Sequence, residues 1–450
     1  MPTLRNLISI DDLSLAEMEA LFARARQYEK DLSAWPDLCR GKIAATLFYE
    51  ASTRTRLSFE SAMLRLGGGV ISAADMGQSS ASKGESLADT VRVVAGYADV
   101  LILRHQSEGA ARLATEYSTV PVINAGDGSH EHPTQTLCDL YSLWIERGRI
   151  AGLDVVFAGD LRYSRTVHSF AYALARFRAN IVCVPQPGFD LPAYVVQRLR
   201  EEFGVEPVRA DAARLGHLAA ASDVVYLTPQ KPHQLSLFTD PKGLSVGNVD
   251  AVYMTRPQTE RFKADSQLDE TQYLQLGKRQ LAAESLRDAV VMHPLPRRDE
   301  ISSELDADPR SIYFKQAARG VPIRMAILAS LLGATQDLDE RAPGADPSWP
   351  AQSVGVVCAN PSCICHTEDR HVGMRFRLAS RMPLRVYCPY CSQEIPFGAV
   401  GCSTTRHHHP PEGRDLRKVR PEHMVFFRDA LQAEAAGFRP TRRASPAPPA

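Results

Sequence analysis

The sequence lacks what would send it toward a membrane or a nucleic acid. Lysine and arginine number 52, as do aspartate and glutamate, so no net charge marks out a nucleic-acid or acidic-lipid partner. No apolar run approaches the ~20 residues of a membrane helix. The opening stretch, MPTLRNLISIDDLSL, lacks the basic start, long apolar run and small-residue cleavage site of a secretion signal. A cytoplasmic chain is the expectation. Cysteine is scarce over most of the length: Cys39, Cys138 and Cys183 are scattered singly, the pattern of buried small hydrophobes. The other six of nine crowd between Cys358 and Cys402. Such crowding in a cytosolic chain indicates metal rather than disulfides.

What is present is enough chain for two or three domains, 450 residues of which 44% are hydrophobic. Ser14 and Glu17 make a capping box ahead of a helix whose Leu15, Met18, Leu21, Phe22 and Ala25 share one face. Short apolar runs then alternate with helical stretches, at 43–50, 100–104, 121–125, 154–159, 181–185, 223–228, 251–255 and 290–296. This alternation predicts an α/β fold with parallel sheets covered on both faces, and so many strands predict two doubly wound domains. The expected division is 1–145 and 146–335, closed by an apolar helix over 320–333. A Pro-, Ala-, Asp- and Ser-rich linker follows at 336–353, then a small β module at 354–402. The tail, 403–450, reads as irregular and partly disordered, with an amphipathic helix within 421–438.

The segment FYEASTRTRLSFESA at 48–62 carries the strongest local signal. An apolar strand ends and Ser52-Thr53-Arg54-Thr55-Arg56 opens a helix. Free N–H groups and the positive dipole end at a helix start suit a phosphate. Arg54 adds a planar fork that grips phosphate oxygens in pairs. A plain Ser/Thr cap flanked by surface arginines fits the same residues.

STRTR followed by SFE resembles the carbamoyl-phosphate motif of the aspartate and ornithine carbamoyltransferase family. Further matches follow in family order: SxxxKGESLADT (79–90), LRH (103–105), HPTQ (132–135), DLRYSRTVHS (160–169), MTRPQ (254–258) and HPLP (293–296). The resemblance covers about residues 1–335 and implies a carbamoyl-phosphate domain, then an aspartate domain whose last helix returns to the first. It implies transfer of a carbamoyl group from carbamoyl phosphate to an amine, without a catalytic cofactor, on the route to UMP. Ser52, Thr53, Arg54 and Thr55 would hold the phosphate, with Ser79 and Lys83 arriving from a neighbouring subunit. Thr55, Arg104 and His132 would surround the carbonyl oxygen, and Gln135 the carbamoyl amide. A shared site of this kind implies a homotrimer or a larger assembly of trimers. His130 is expected to stand outside the site.

The acceptor side sets the substrate. Aspartate presents two carboxylates, which call for arginine forks. Arg165 and Arg256 follow predicted strands, where α/β sheets place their ligands. By resemblance Arg165, Arg256 and Gln258 hold aspartate together with Lys83, while Pro294 and Leu295 offer backbone carbonyls near the amine. Ornithine-specific relatives carry a cysteine where this chain has Pro294, and an SMG loop where it has Arg256-Pro257-Gln258. Glu50 is read either as a strand-end charge or as a partner for Arg165 or Arg261 on domain closure. The stretch 229–249 reads as an insertion beside the acceptor motif. A non-catalytic scaffold would have shed Arg54, Lys83, His132 or Arg256, and all four are present.

Cys358-x4-Cys363 and Cys388-x2-Cys391 are two pairs separated by 24 residues. Four thiolates from two short turns suit one tetrahedral structural zinc per chain. Cys365 is a rival for Cys363, and Cys402 lies outside the pattern. The module resembles the zinc domain of the aspartate carbamoyltransferase regulatory chain, which there joins two kinds of chain. Only a linker precedes it here, so the expectation is an assembly device without control by ATP or CTP. Dihydroorotase is a candidate partner for its face.

Overall fold

The computed structural model describes residues 5–73, 84–228, 249–256, 275–339, 348–350, 352–368, 370–372, 375–381 and 384–441. The first sheet is parallel, in the order β2-β1-β3-β4, with β1 Ile43–Phe48, β2 Gly69–Ala73, β3 Val100–His105 and β4 Val122–Asp127. Its strands are apolar on both faces because both are covered. Ala44, Phe48, Val100 and Ile102 face one core, shared with α1 (Leu15–Lys30), α2 (Thr53–Arg65) and α5 (Pro133–Arg147). Ala45, Leu47, Leu101 and Leu103 face the other, under α3 (Leu87–Ala95) and α4 (Ala110–Tyr117). The Ser14–Glu17 capping box opens α1 as its spacing predicts.

The second sheet is also parallel, in the order β10-β9-β8-β5-β6-β7. Its strands are β5 Asp154–Gly159, β6 Asn180–Pro185, β7 Val208–Arg209, β8 Val224–Leu227, β9 Ala251–Met254 and β10 Val290–Met292. Helices α6 (Arg165–Arg176), α7 (Ala193–Phe203) and the short α8 (Leu215–Ala220) and α9 (Lys278–Leu281) accompany it. The strand order reverses beside β5, which places a ligand crevice at the carboxyl ends of β5, β8, β9 and β10. Helix α10 (Tyr313–Leu331) then packs on α1, α2 and α5 of the first sheet. It begins seven residues before the apolar run at 320 and continues through Pro322, held by buried residues on either side.

Three local readings differ from the sequence. Strands β2 and β7 were hidden, β2 by its partly exposed face and β7 by its two exposed residues. The run 290–296 is strand only to Met292, because Pro294 and Pro296 cannot donate to a ladder. The C-terminal part is more regular than its composition suggests. Strands β11 (Ser348–Pro350) and β12 (Gln352–Val354) fall in the stretch read as linker, followed by β13 (Arg375–Arg381), β14 (Leu384–Tyr387), β15 (Ala399–Cys402) and β16 (His407–His409). Where a helix was expected over 421–438, the chain forms β17 (Met424–Phe427), then α11 (Ala430–Ala435), with β18 (Arg439–Pro440) last. Four consecutive buried residues, Met424 to Phe427, fit a strand between sheet neighbours. Phe426 packs on Phe376 and Phe397, tying the order β11-β13-β14 to the order β12-β17-β15-β16-β18.

This cysteine-bearing module sits against the body of the molecule. Glu108, just after β3, donates its N–H to the Ser362 carbonyl at 2.9 Å and accepts at its own carbonyl from Ile364 N–H at 2.9 Å. Its carboxylate takes Asn360 Nδ2 at 2.7 Å. Gly109 has φ +85°, and a Cβ there would lie 2.5 Å from Tyr390 Cβ, so this contact requires glycine. Glu368 accepts the Leu87 N–H at the first turn of α3, and Tyr387 hydroxyl donates to Gln197 on α7. The module therefore touches helices of both sheets. No helix among the described residues is long and apolar enough to cross a membrane.

Candidate active site

A cavity of about 370 Å³ opens where the carboxyl ends of β1, β3, β9 and β10 meet α2, α5 and α10. Ser52 is the N-cap residue of α2, and its hydroxyl donates to Thr55 Oγ1 at 3.0 Å. The first-turn N–H groups of such a helix have no partner within it. Arg54 reaches the cavity partly desolvated; burial and then the facing charge of Arg256 both lower its pKa. Two guanidiniums on one cavity repel each other until an anion lies between them. Arg104 also lines it, giving Nη1 to the Ala125 carbonyl at 3.1 Å and Nη2 to Glu50 Oε1 at 2.7 Å. Glu50 thus meets Arg104 here. His132 is the N-cap residue of α5, which brings its buried ring and Gln135 to the same wall.

The far wall is the turn after β10. His293 is buried; its Nδ1 accepts the Leu295 N–H at 2.8 Å and its Nε2 lies 2.8 Å from Glu300 Oε1. The proton therefore sits on Nε2 and the ring is neutral, in keeping with a pKa lowered by burial against the opposing pull of Glu300. This ring shapes the turn, holding Leu295 at φ +53° and setting Pro294 and Leu295 on the cavity wall.

Ten of the expected substrate-binding residues share this cavity: Ser52, Thr53, Arg54, Thr55, Arg104, His132, Gln135, Arg256, Pro294 and Leu295. Arg165 is the first residue of α6, next to Thr166, which lines the cavity. Ser79, Lys83, Gln258, Arg261 and residues 229–248 lie outside the described residues. His130 stands apart, its ring between Asp127 Oδ2 at 3.1 Å and Ser392 Oγ at 3.3 Å.

The sulfur atoms of Cys358, Cys363, Cys388 and Cys391 all lie within 4.8 Å of one another, and all four residues are buried. Cys358 and Cys391 are 3.5 Å apart, Cys363 and Cys388 3.8 Å. Thiolates ~2.3 Å from a tetrahedral ion stand roughly 3.8 Å apart, so the donor set fits such a metal. Cys365 is outside the set.

Comparison with known proteins agrees with this geometry. Residues 5–144 match the aspartate/ornithine carbamoyltransferase carbamoyl-P binding domain, and residues 217–331 the Asp/Orn binding domain of the same family. The aspartate carbamoyltransferase catalytic subunit of Clostridium kluyveri is 42% identical over 335 residues, 73% of this chain and 98% of that one. The chain belongs to the aspartate carbamoyltransferase family. The Thermococcus kodakarensis catalytic subunit is 45% identical over 336 residues, 73% of this chain and 97% of its own. The solved catalytic subunit of M. jannaschii aspartate transcarbamoylase superposes with a TM-score of 0.60 at 41% identity, covering 74% of this chain and 99% of that one. Aspartate transcarbamoylase from Trypanosoma cruzi, solved with N-(phosphonacetyl)-L-aspartic acid, gives 0.58 at 34%, covering 73% and 96%. Residues 352–400 match the metal binding domain of the aspartate carbamoyltransferase regulatory chain, so a catalytic chain and a metal-binding domain are here one polypeptide.

Within this family frame, sequence reasoning passed over several lining residues. Gln316 and Arg324 come from α10, well away from any motif. Their signal was polarity: Gln316, Arg319 and Arg324 stand among the apolar residues of the helix's buried face.

Proposed function

We propose that this chain transfers the carbamoyl group of carbamoyl phosphate to the amine of L-aspartate, releasing phosphate and N-carbamoyl-L-aspartate for pyrimidine synthesis in the cytoplasm. The observation that carries this reading is one polar cavity lined by Arg54, in the open first turn of α2, and by Arg256, close enough to repel it. In it Ser52, Thr53, Arg54 and Thr55 take the phosphate, with Ser79 and Lys83 from a neighbouring subunit. Thr55, Arg104 and His132 donate toward the carbonyl oxygen, where charge gathers as nitrogen attacks. Preorganised donors of this kind contribute roughly 10²–10³-fold each. Arg165, Arg256 and Gln258 fix the two aspartate carboxylates, and the Pro294 and Leu295 carbonyls steer the attacking amine. Holding both reactants close supplies much of the remaining acceleration.

A site completed by a neighbour's Ser79 and Lys83 requires an oligomer, and we assign a homotrimer or an assembly of trimers. Leu57 and Leu64 of α2 and Ile71 of β2 are exposed apolar residues, in keeping with a subunit contact. The division into 1–145, 146–335 and a metal module from 354 is part of the same reading. The metal is one structural zinc per chain, held by Cys358, Cys363, Cys388 and Cys391, with no position open for chemistry.

The test incubates the full chain with carbamoyl phosphate and either L-aspartate or L-ornithine and measures each product. Carbamoyl aspartate alone is expected; carbamoyl ornithine would overturn the acceptor roles, and no product the whole reading. Mixing inactive Arg54→Ala and Lys83→Ala chains should restore activity if the site is shared.

A further inference from the structure

Asp139 lies on α5, one turn beyond Gln135, and is 2% exposed. Its Oδ1 accepts two side-chain amides, Gln135 Nε2 at 2.8 Å and Gln316 Nε2 at 2.7 Å. Its Oδ2 accepts the Tyr253 hydroxyl from β9 at 2.8 Å. Three donors point at its two oxygens, the partners a carboxylate takes, while burial raises its pKa to about 6 against them. A carboxylate only accepts, so both glutamines must turn their nitrogens to it and their oxygens away. Gln316 Oε1 accordingly receives the His293 N–H at 2.9 Å, at the start of the turn that forms the far wall. Gln135 lines the cavity, and with its nitrogen turned to Asp139 the acceptor Oε1 is free to face it.

We propose that Asp139 is a positioning residue that fixes the polarity of Gln135, so that the cavity meets the carbamoyl nitrogen with an acceptor. The inference rests on the role given to Gln135 above. A carbamoyl group carries N–H donors where an acetyl group carries a methyl. An acceptor locked at that point favours the first and is left unpaired by the second. A Gln135 free to flip would set its own NH₂ against the substrate's and lose the preference. Through Gln316 the same carboxylate oxygen holds the opposite wall, so one buried atom sets both sides of the carbamoyl group.

The test compares binding of a matched pair, phosphonoacetamide and 2-oxopropylphosphonate, which differ only by NH₂ against CH₃. The full-length wild type should prefer the amide by about tenfold. Asp139→Leu, which keeps bulk and removes the acceptor, should bring the ratio to about one, and Asp139→Asn, which retains an acceptor oxygen, should restore it. A merely structural role would weaken both ligands together and leave the ratio alone. Gln135→Met separates the two readings. If it collapses the ratio and Asp139→Leu does not, Asp139 has no such role; if it leaves the ratio intact, or the wild type shows no preference, the role of Gln135 falls and this inference with it. Should Asp139→Leu not fold, neutron diffraction of the wild type with phosphonoacetamide decides. Deuterons on the Gln135 nitrogen facing Asp139 support the proposal, and deuterons facing the ligand overturn it.

Discussion

Arg104 Nη2 donates to Glu50 Oε1 at 2.7 Å inside the cavity that both line. A ligand that takes Arg104 must first displace that carboxylate. The Arg104 side chain is 8% exposed and that of Glu50 33%, so water screens the pair from the Glu50 side and weakens its hold on Arg104. Glu50→Gln should therefore tighten phosphonoacetamide binding by about threefold, measured by calorimetry without aspartate. Weaker binding would mean that Glu50 organises Arg104 rather than competing for it.

Arg54 is held against burial and against Arg256 in the absence of ligand. Arg54→Ala should lower kcat/KM for carbamoyl phosphate by about 100-fold or more, the scale of a lost charge-assisted pair of hydrogen bonds. The same change relieves a repulsion, so the ligand-free melting temperature should stay level or rise. Added phosphate should no longer raise it. A large fall in the ligand-free melting temperature would assign Arg54 a structural role instead.

Two buried histidines pull stability in opposite directions. His105 is lowered to about 4 by burial, against Asp127 and Glu50. Its contribution is complete above its unfolded value near 6.5 and disappears as pH falls from there to about 4. At His130 burial opposes the charge, but the adjacent Asp127 carboxylate outweighs it and pushes the pKa up to about 9. That contribution is complete below 6.5 and disappears as pH rises to about 9. Each limb is on the order of 3 kcal/mol. Urea melts from pH 4 to pH 9 should peak near 6.5, with His130→Gln flattening the alkaline limb.

Two neighbouring histidines, His130 and His132, show how far a sequence reading reaches. His132 was legible because HPTQ follows a strand and opens a helix, which leaves one place for its ring. His130 could be set aside, yet its contact with Ser392 on the metal module could not be read, since 262 residues separate the two. Strands such as Asp154–Gly159 announced themselves through apolar runs, because both faces of their sheet are buried. Glu300, which shapes the turn at His293, offered no local pattern, being defined only by what folding brings near. The tail was misread for a related reason. RHHHPPEGRD is polar by composition, and His408 and His409 become buried only because β16 lies between β15 and β18.

The four buried thiols make a further claim that metal analysis can check. Cys388→Ser should reduce bound zinc from about one per chain to near none, and open residues beyond 354 to protease. Cys365→Ser should leave the metal content unchanged. Loss of metal in the Cys365 variant would move that residue into the ligand set.

Joining the Glu108–Asn360 contact through one polypeptide changes how it responds to concentration. Two separate chains part on dilution, whereas a tethered surface meets its partner at an effective concentration fixed by the connecting segment, about millimolar for a short flexible one. Every chain thus carries one metal module of its own, in scarcity as in abundance.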